Sequence, residues 1–214
     1  KAAVGAALPA ARYAHFATHG FFAPEAAVSA RSREAGARRE VTGWNPLLLS
    51  GLALSGANRM PKDGEEDGIL TALEVSEMDL TRLELAVLSA CETGLGKVAG
   101  GEGVLGLQRA FAAAGCRSVV ASLWSVDDAA TAVLMERFYR HLWEGKKGKL
   151  EALRSAQLDV LRRPELVEGR GEALRKEWGA SMRGAGLKAK KLPAGARRSP
   201  VAWWGAFALS GDWR

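Results

Sequence analysis

Two side chains with the chemistry of nucleophilic catalysis stand at the ends of apolar runs. His19 follows Tyr13-Ala-His-Phe-Ala-Thr18 and precedes Gly20; Cys91 follows Leu83 to Ala90 (LELAVLSA) and precedes Glu-Thr-Gly. A cysteine attacks carbonyls as the thiolate, and a free pKa of about 8.5 leaves only a few per cent ionised at neutral pH. An imidazole within hydrogen-bond reach removes that proton and later returns it to a leaving amine. Glycine after the histidine leaves a main-chain N–H unobstructed, so the N–H groups of Gly20 and Cys91 are candidates for an oxyanion hole. Bland readings stay open beside this one: a cysteine ending a buried strand is commonly an apolar filler, and a lone histidine commonly satisfies a hydrogen bond.

Bringing the two together is the task of the elements that precede them. In open parallel sheets, ligands bind outside the carboxyl ends of the strands. Tyr13 to Thr18 reads as a short strand stopped by Gly20, and Leu83 to Ala90 as a strand buried on both faces. If these two are parallel neighbours, imidazole and thiol share one rim of the sheet. Ser118 to Ser122 (SVVAS) reads as another buried strand, and Trp203 to Ser210 as the last.

Helices are expected between them. Thr71 and Glu74 have capping-box spacing and open a short one; Ser125 and Asp128 repeat the spacing and open one that runs to about Trp143. Gly103 to Ala114 and Lys149 to Arg163 are the others, the latter with Leu150, Leu153, Leu158 and Leu161 on one side. Pro46 to Ser50 and Leu52 to Leu54 flank Gly51 and suggest a short hairpin or strand pair. Residues 23–46 read as a loop, and Asn58 to Gly68 as turn chemistry. Alternating strands and helices predict an α/β domain with a largely parallel central sheet and helices on both faces.

The 214-residue chain has 48% hydrophobic and 25% charged residues, an ordinary globular balance that excludes disordered and fibrous classes. Its net charge of +6 is unevenly placed. Between Arg162 and Arg198 there are eleven basic residues and four acids, leaving 19 basic and 20 acidic residues elsewhere. This basic insertion, residues 164–200, reads as a solvated loop. Only Trp178 interrupts its charges, which argues against nucleic-acid binding. Phe111, Val119, Val120, Leu123 and Phe138 are read as core. Two cysteines, Cys91 and Cys116, build no disulfide framework, and the expected compartment is reducing and cytoplasmic. No apolar run approaches the roughly 18 residues of a membrane helix. The chain reads as one domain and, lacking an initial Met, as a fragment.

Other chemistries fit less well. His15 and His19 have the spacing of a helical zinc site, but on a strand their side chains lie roughly 13 Å apart, too far for one metal. His15 is then a structural residue on the strand, and His141 a packed one. The run Cys91 to Val98 resembles a phosphate loop, yet lacks its first glycine and final hydroxyl. Gly94, Gly96, Gly100 and Gly101 read as a flexible loop beside the cleft. The serine-hydrolase elbow G-x-S-x-G is absent.

The stretches His15-Phe-Ala-Thr-His-Gly20, Leu88-Ser-Ala-Cys-Glu-Thr-Gly94 and Gly101 to Phe111, with Ser122-Leu-Trp-Ser-Val-Asp-Asp128, resemble the CHAT family. This is the caspase-like peptidase domain often found behind helical repeats in bacteria, related to caspases and separase. The likeness runs from about residue 11 to 163 and resumes at Trp203 to Trp213. It implies a caspase-like three-layer sandwich and cysteine endopeptidase chemistry without metal or cofactor, with His19 as base and Cys91 as nucleophile. It also implies a protein substrate and an upstream helical-repeat or sensor region that controls the domain. The family has further strands before the histidine strand, which this chain lacks.

Asp128 resembles separase's acidic residue, which implies recognition of a basic P1 side chain. Asp127 is an alternative, and a helix cap explains this acidic pair equally well. Ser89, Ser122 and Trp124 are the other expected pocket walls, with a core role for Trp124 also open. The rival to catalysis is an idle binding module that holds a peptide or partner domain in the same cleft.

Overall fold

The computed structural model describes residues 1–22, 46–48, 50–59, 61, 62, 64–89, 102–124, 126–178, 192 and 197–214. They form two compact units, Lys1–Leu123 and Trp124–Arg214.

The first unit opens with a short helix, α1 (Ala2–Ala7), and holds strands β1 (Tyr13–Phe16), β2 (His19–Phe22), β3 (Ser50–Ala53) and β4 (Ile69–Thr71). Helix α2 (Ala72–Ser76), strand β5 (Leu85–Leu88), helix α3 (Glu102–Ala113) and strand β6 (Ser118–Ser122) follow. Strand β5 pairs parallel to β1 on one side and to β6 on the other, with Phe16 opposite Leu88 and Ala86 opposite Val119. Every residue of β5 and β6 is buried, as expected for parallel strands covered on both faces. Strand β1 alternates, its Tyr13 and His15 exposed and its Ala14 and Phe16 half-buried.

His19 does not follow the end of a strand that runs to Thr18. Strand β1 stops at Phe16, and after Ala17 and Thr18 the chain enters β2 with His19 as its first residue. Gly20 lies within β2 and stops nothing. Strand β2 belongs to a second sheet in which β3 is antiparallel to both β2 and β4. The apolar run expected to make a short hairpin or strand pair around Gly51 is instead a 3-10 turn, Pro46–Leu48, followed by β3 alone. Between β3 and β4, Gly56, Gly64 and Gly68 adopt positive φ, in keeping with the turn residues there.

Core residues of this unit come from both sheets and the helices, among them Leu52, Leu70, Leu83, Leu88 and Phe111. Phe16 and Phe111 meet as a tilted pair with ring centroids 5.8 Å apart. Helix α2 begins at the expected capping box: the Thr71 hydroxyl accepts from the Glu74 N–H at 3.2 Å, and the Glu74 carboxylate accepts from the Thr71 N–H at 2.8 Å. Helix α3 ends at Gly115, whose φ of +98° lets the Cys116 N–H reach back to the Phe111 carbonyl at 2.9 Å. That turn carries buried Cys116 into β6.

The second unit contains α4 (Asp128–Tyr139), α5 (Lys149–Arg162), α6 (Pro164–Trp178), α7 (Val201–Trp204) and β7 (Phe207–Gly211). Helix α4 packs on both α5 and α6, burying Val133, Leu134 and Phe138. Several expectations change here. Helix α5 buries Ala152, Leu153, Ala156 and Val160, while Leu150 is 50% exposed, so its inner face is not the leucine stripe. Of the four leucines only Leu153 belongs to the buried face, beside alanines and Val160. The start of the basic insertion is helix α6, anchored by buried Val167 and Leu174, because its apolar residues recur at helical spacing among the charges. The final apolar run starts as α7 and becomes a strand only at Phe207. Leu123, read as core, is 41% exposed.

His141 lies on a wide helical turn, Arg140–Glu144, and its Nε2 is 2.9 Å from the Asp159 carboxylate of α5. No helix among the described residues is long and apolar enough to cross a membrane.

Candidate functional site

The parallel pairing of β1 with β5 sets the local geometry. The ladder begins where the Glu84 N–H donates to the Arg12 carbonyl at 2.8 Å, and it ends where the Ser89 N–H donates to the Phe16 carbonyl at 3.1 Å. At its start the Arg12 guanidinium and Tyr13 hydroxyl both bond the Glu84 carboxylate, and Arg12 holds that carboxyl below its ordinary range. At its carboxyl end the two chains part company: one continues to Ala17, Thr18 and His19, the other beyond Ser89.

Thr18 fixes the first of these exits. Its hydroxyl donates to the Ala53 carbonyl of β3, so the chain turns out of one sheet and into the other just before the histidine. His19 is then opposite Ala53 and Gly20 opposite Leu52. The His19 side chain is exposed, whereas Gly20 is buried.

Ser89 marks the second exit and is bound twice to the first strand. Its hydroxyl lies 3.2 Å from the Phe16 carbonyl and 2.8 Å from His15 Nε2. With the hydroxyl proton directed to the Phe16 carbonyl, the oxygen accepts from His15 in the tautomer that carries its proton on Nε2. Partial loss of hydration at this otherwise exposed ring lowers the His15 pKa from its ordinary value and so favours the neutral form. The sequence presents His15 as structural and Ser89 as a pocket wall, but not as partners. The signal was available in the register: once His15 faces Val87, Ser89 is the next residue on the same face of β5.

Ser122, another expected wall, ends β6 and is buried. Cys91 and the glycines Gly94, Gly96, Gly100 and Gly101 lie outside the described residues. The structure therefore brings Ser89 to the β1 chain that leads to His19.

Trp124, Asp127 and Asp128 belong to the second unit. The Trp124 side chain is 41% exposed, and so is not a core residue of that unit. Asp127 is the N-cap of α4: its Oδ1 accepts from the Ala130 N–H at 3.0 Å. The cap expected from the Ser125 spacing is thus displaced by two residues, and Ser125 itself lies outside the described residues. Asp128, the first helical residue, is exposed in the first turn, where the helix dipole favours negative charge. Among the described residues no group of three His, Cys, Asp or Glu side chains can hold a metal.

Comparison with known proteins matches a family and partial relatives. The CHAT domain family model matches residues 1–212. Tetratricopeptide repeat protein 28 of Homo sapiens is 39% identical over 79 residues, and its counterpart in Mus musculus 37% identical over the same length. Each match takes in 37% of this chain and 3% of the relative's length.

Proposed function

This chain belongs to the CHAT family, which is caspase-like, and from that premise we propose that it is a cysteine endopeptidase with Cys91 as nucleophile and His19 as base. The observation that supports this most is the bond from the Ser89 N–H to the Phe16 carbonyl, 3.1 Å long. His19 is three residues beyond Phe16, and Cys91 two beyond Ser89. At most about 3.6 Å of extended chain per residue separates each from that shared point.

In this reading His19 takes the Cys91 proton as the thiolate attacks the scissile carbonyl of a protein substrate. The N–H groups of Gly20 and Cys91 donate hydrogen bonds to the developing oxyanion. His19 then protonates the leaving amine, and a thioester remains on Cys91. Water, deprotonated by His19, attacks the thioester, releases the acid and restores the thiol. No metal or organic cofactor takes part.

For the P1 side chain we propose Asp128 rather than Asp127. The support is that Asp127 spends an oxygen on the Ala130 N–H, whereas Asp128 is exposed. Ser89, Ser122 and Trp124 remain proposed neighbours of the peptide, Ser122 through a change that uncovers it. An upstream helical-repeat region that governs the activity belongs to the same proposal, as does a reducing, cytoplasmic setting. The tetratricopeptide repeats in the name of the partial relatives support the former.

The test is cleavage of a peptide library by the wild type, Cys91→Ala and His19→Ala. Each substitution is expected to abolish turnover while leaving the far-UV circular dichroism unchanged. Turnover that persists in either folded variant overturns the assignment, and a wild type that binds peptide at Cys91 without cutting points to the binding module.

A further inference from the structure

We infer that His15 is a positioning residue for Cys91, acting through Ser89; this rests on the peptidase reading above for its consequence, but not for its geometry. Three contacts tie the exit of β5 to the end of β1: the Ser89 N–H to the Phe16 carbonyl at 3.1 Å, the Ser89 hydroxyl to the same carbonyl at 3.2 Å, and His15 Nε2 to that hydroxyl at 2.8 Å. The first is an ordinary ladder bond that any residue at this position makes. The other two need a hydroxyl at Ser89 and a donor at His15.

A hydroxyl that donates to a carbonyl and accepts from an imidazole has a fixed rotor, and its Cβ is fixed with it. The backbone at Ser89 is thereby held at the point from which the chain runs two residues to Cys91. Among the described residues β1 is paired on one side only, by β5. A side-chain clasp at the last paired residue supplies the missing restraint. Catalytic geometry is sensitive to displacements of about 1 Å, which cost on the order of a hundredfold in rate. His15 therefore influences the reaction without touching substrate.

Glutamine and phenylalanine separate the hydrogen bond from the ring. Gln places an amide N–H where His carries Nε2–H, whereas Phe keeps the ring and loses the donor. Two readouts are measured on His15→Gln, His15→Phe and Ser89→Ala: kcat and KM on the best library peptide, and the rate at which iodoacetamide alkylates Cys91, followed by mass spectrometry of the peptide that contains it.

The clasp predicts that His15→Phe and Ser89→Ala lower both kcat and the alkylation rate by roughly tenfold or more. In His15→Phe KM is expected to change by less than about threefold, and His15→Gln to keep both rates within about threefold of wild type. Equal losses in Gln and Phe, or wild-type rates in Phe, overturn the proposal. If His15→Phe does not fold, the alkylation rate of Cys91 in Ser89→Ala, which involves no peptide, decides. If the wild type cuts no peptide, the alkylation rates still test the clasp, so a failed peptidase reading and a failed positioning role give different results.

Discussion

At the scale of single residues, His15 and Ser89 meet because β1 and β5 run parallel with Phe16 opposite Leu88. The two motifs that contain them look independent in the sequence, since pairing between distant strands has no local signature. Although His15 lies on the exposed face of β1, neighbouring protein removes part of the ring's hydration. Its pKa lies below the ordinary 6.5 because charging the ring costs solvation. The unfolded chain thus binds a proton at His15 before the folded one does. The stability contributed by the neutral ring is complete above about pH 6.5 and is lost as pH falls toward the lower folded value. Urea unfolding at pH 7.5 and 5.5 should show a larger acid-induced loss in wild type than in His15→Gln. An equal loss would mean that the ring titrates as if in water. Tyr139 responds at the other end of the scale: burial pushes its hydroxyl up to about 12, so the folded state resists ionisation and stability falls as pH rises past about 10.

Elements were most legible where a local physical rule has no competitor. The all-apolar runs gave buried strands, with Ser118–Ser122 at the expected bounds and Leu85–Leu88 inside them. The Thr71 and Glu74 pair made its reciprocal cap. Reading failed where one pattern served two structures. Trp203 to Ser210 divides between α7 and β7, and of the α5 leucines only Leu153 lies on the buried face, which alanines and Val160 complete. The cap at α4 is the instructive case, because Asp127 does what spacing assigned to Ser125. Asp127→Ala removes that cap and is expected to lower stability by about 1 kcal/mol in chemical denaturation. It should leave P1 preference alone. Asp128→Ala is expected to do the reverse, shifting a P1 library away from Arg relative to Asp with little loss of stability. A P1 shift in Asp127→Ala, with none in Asp128→Ala, would exchange their roles.

For the molecule as a whole, the family match spans both compact units, so the second unit belongs to the domain as much as the strand-rich first. The fold class was legible because strand burial and alternation with helices are properties of long stretches. The candidate site was legible only as two residues at the ends of apolar runs; its supporting contacts arise from register and from the second sheet, which begins at His19. Control by an upstream region would act on the chain as a unit and leave the isolated protein slow. Slow turnover does not prevent one chemical event at the nucleophile, which makes labelling a more direct probe than cleavage. The decisive measurement is intact-mass and peptide-level mass spectrometry after reaction with a peptidyl electrophile. The account predicts one label per chain on Cys91, none on buried Cys116, and a rate that falls at least tenfold in His19→Ala, as expected for loss of a general base. Label shared with Cys116, or an unchanged rate in His19→Ala, would contradict it.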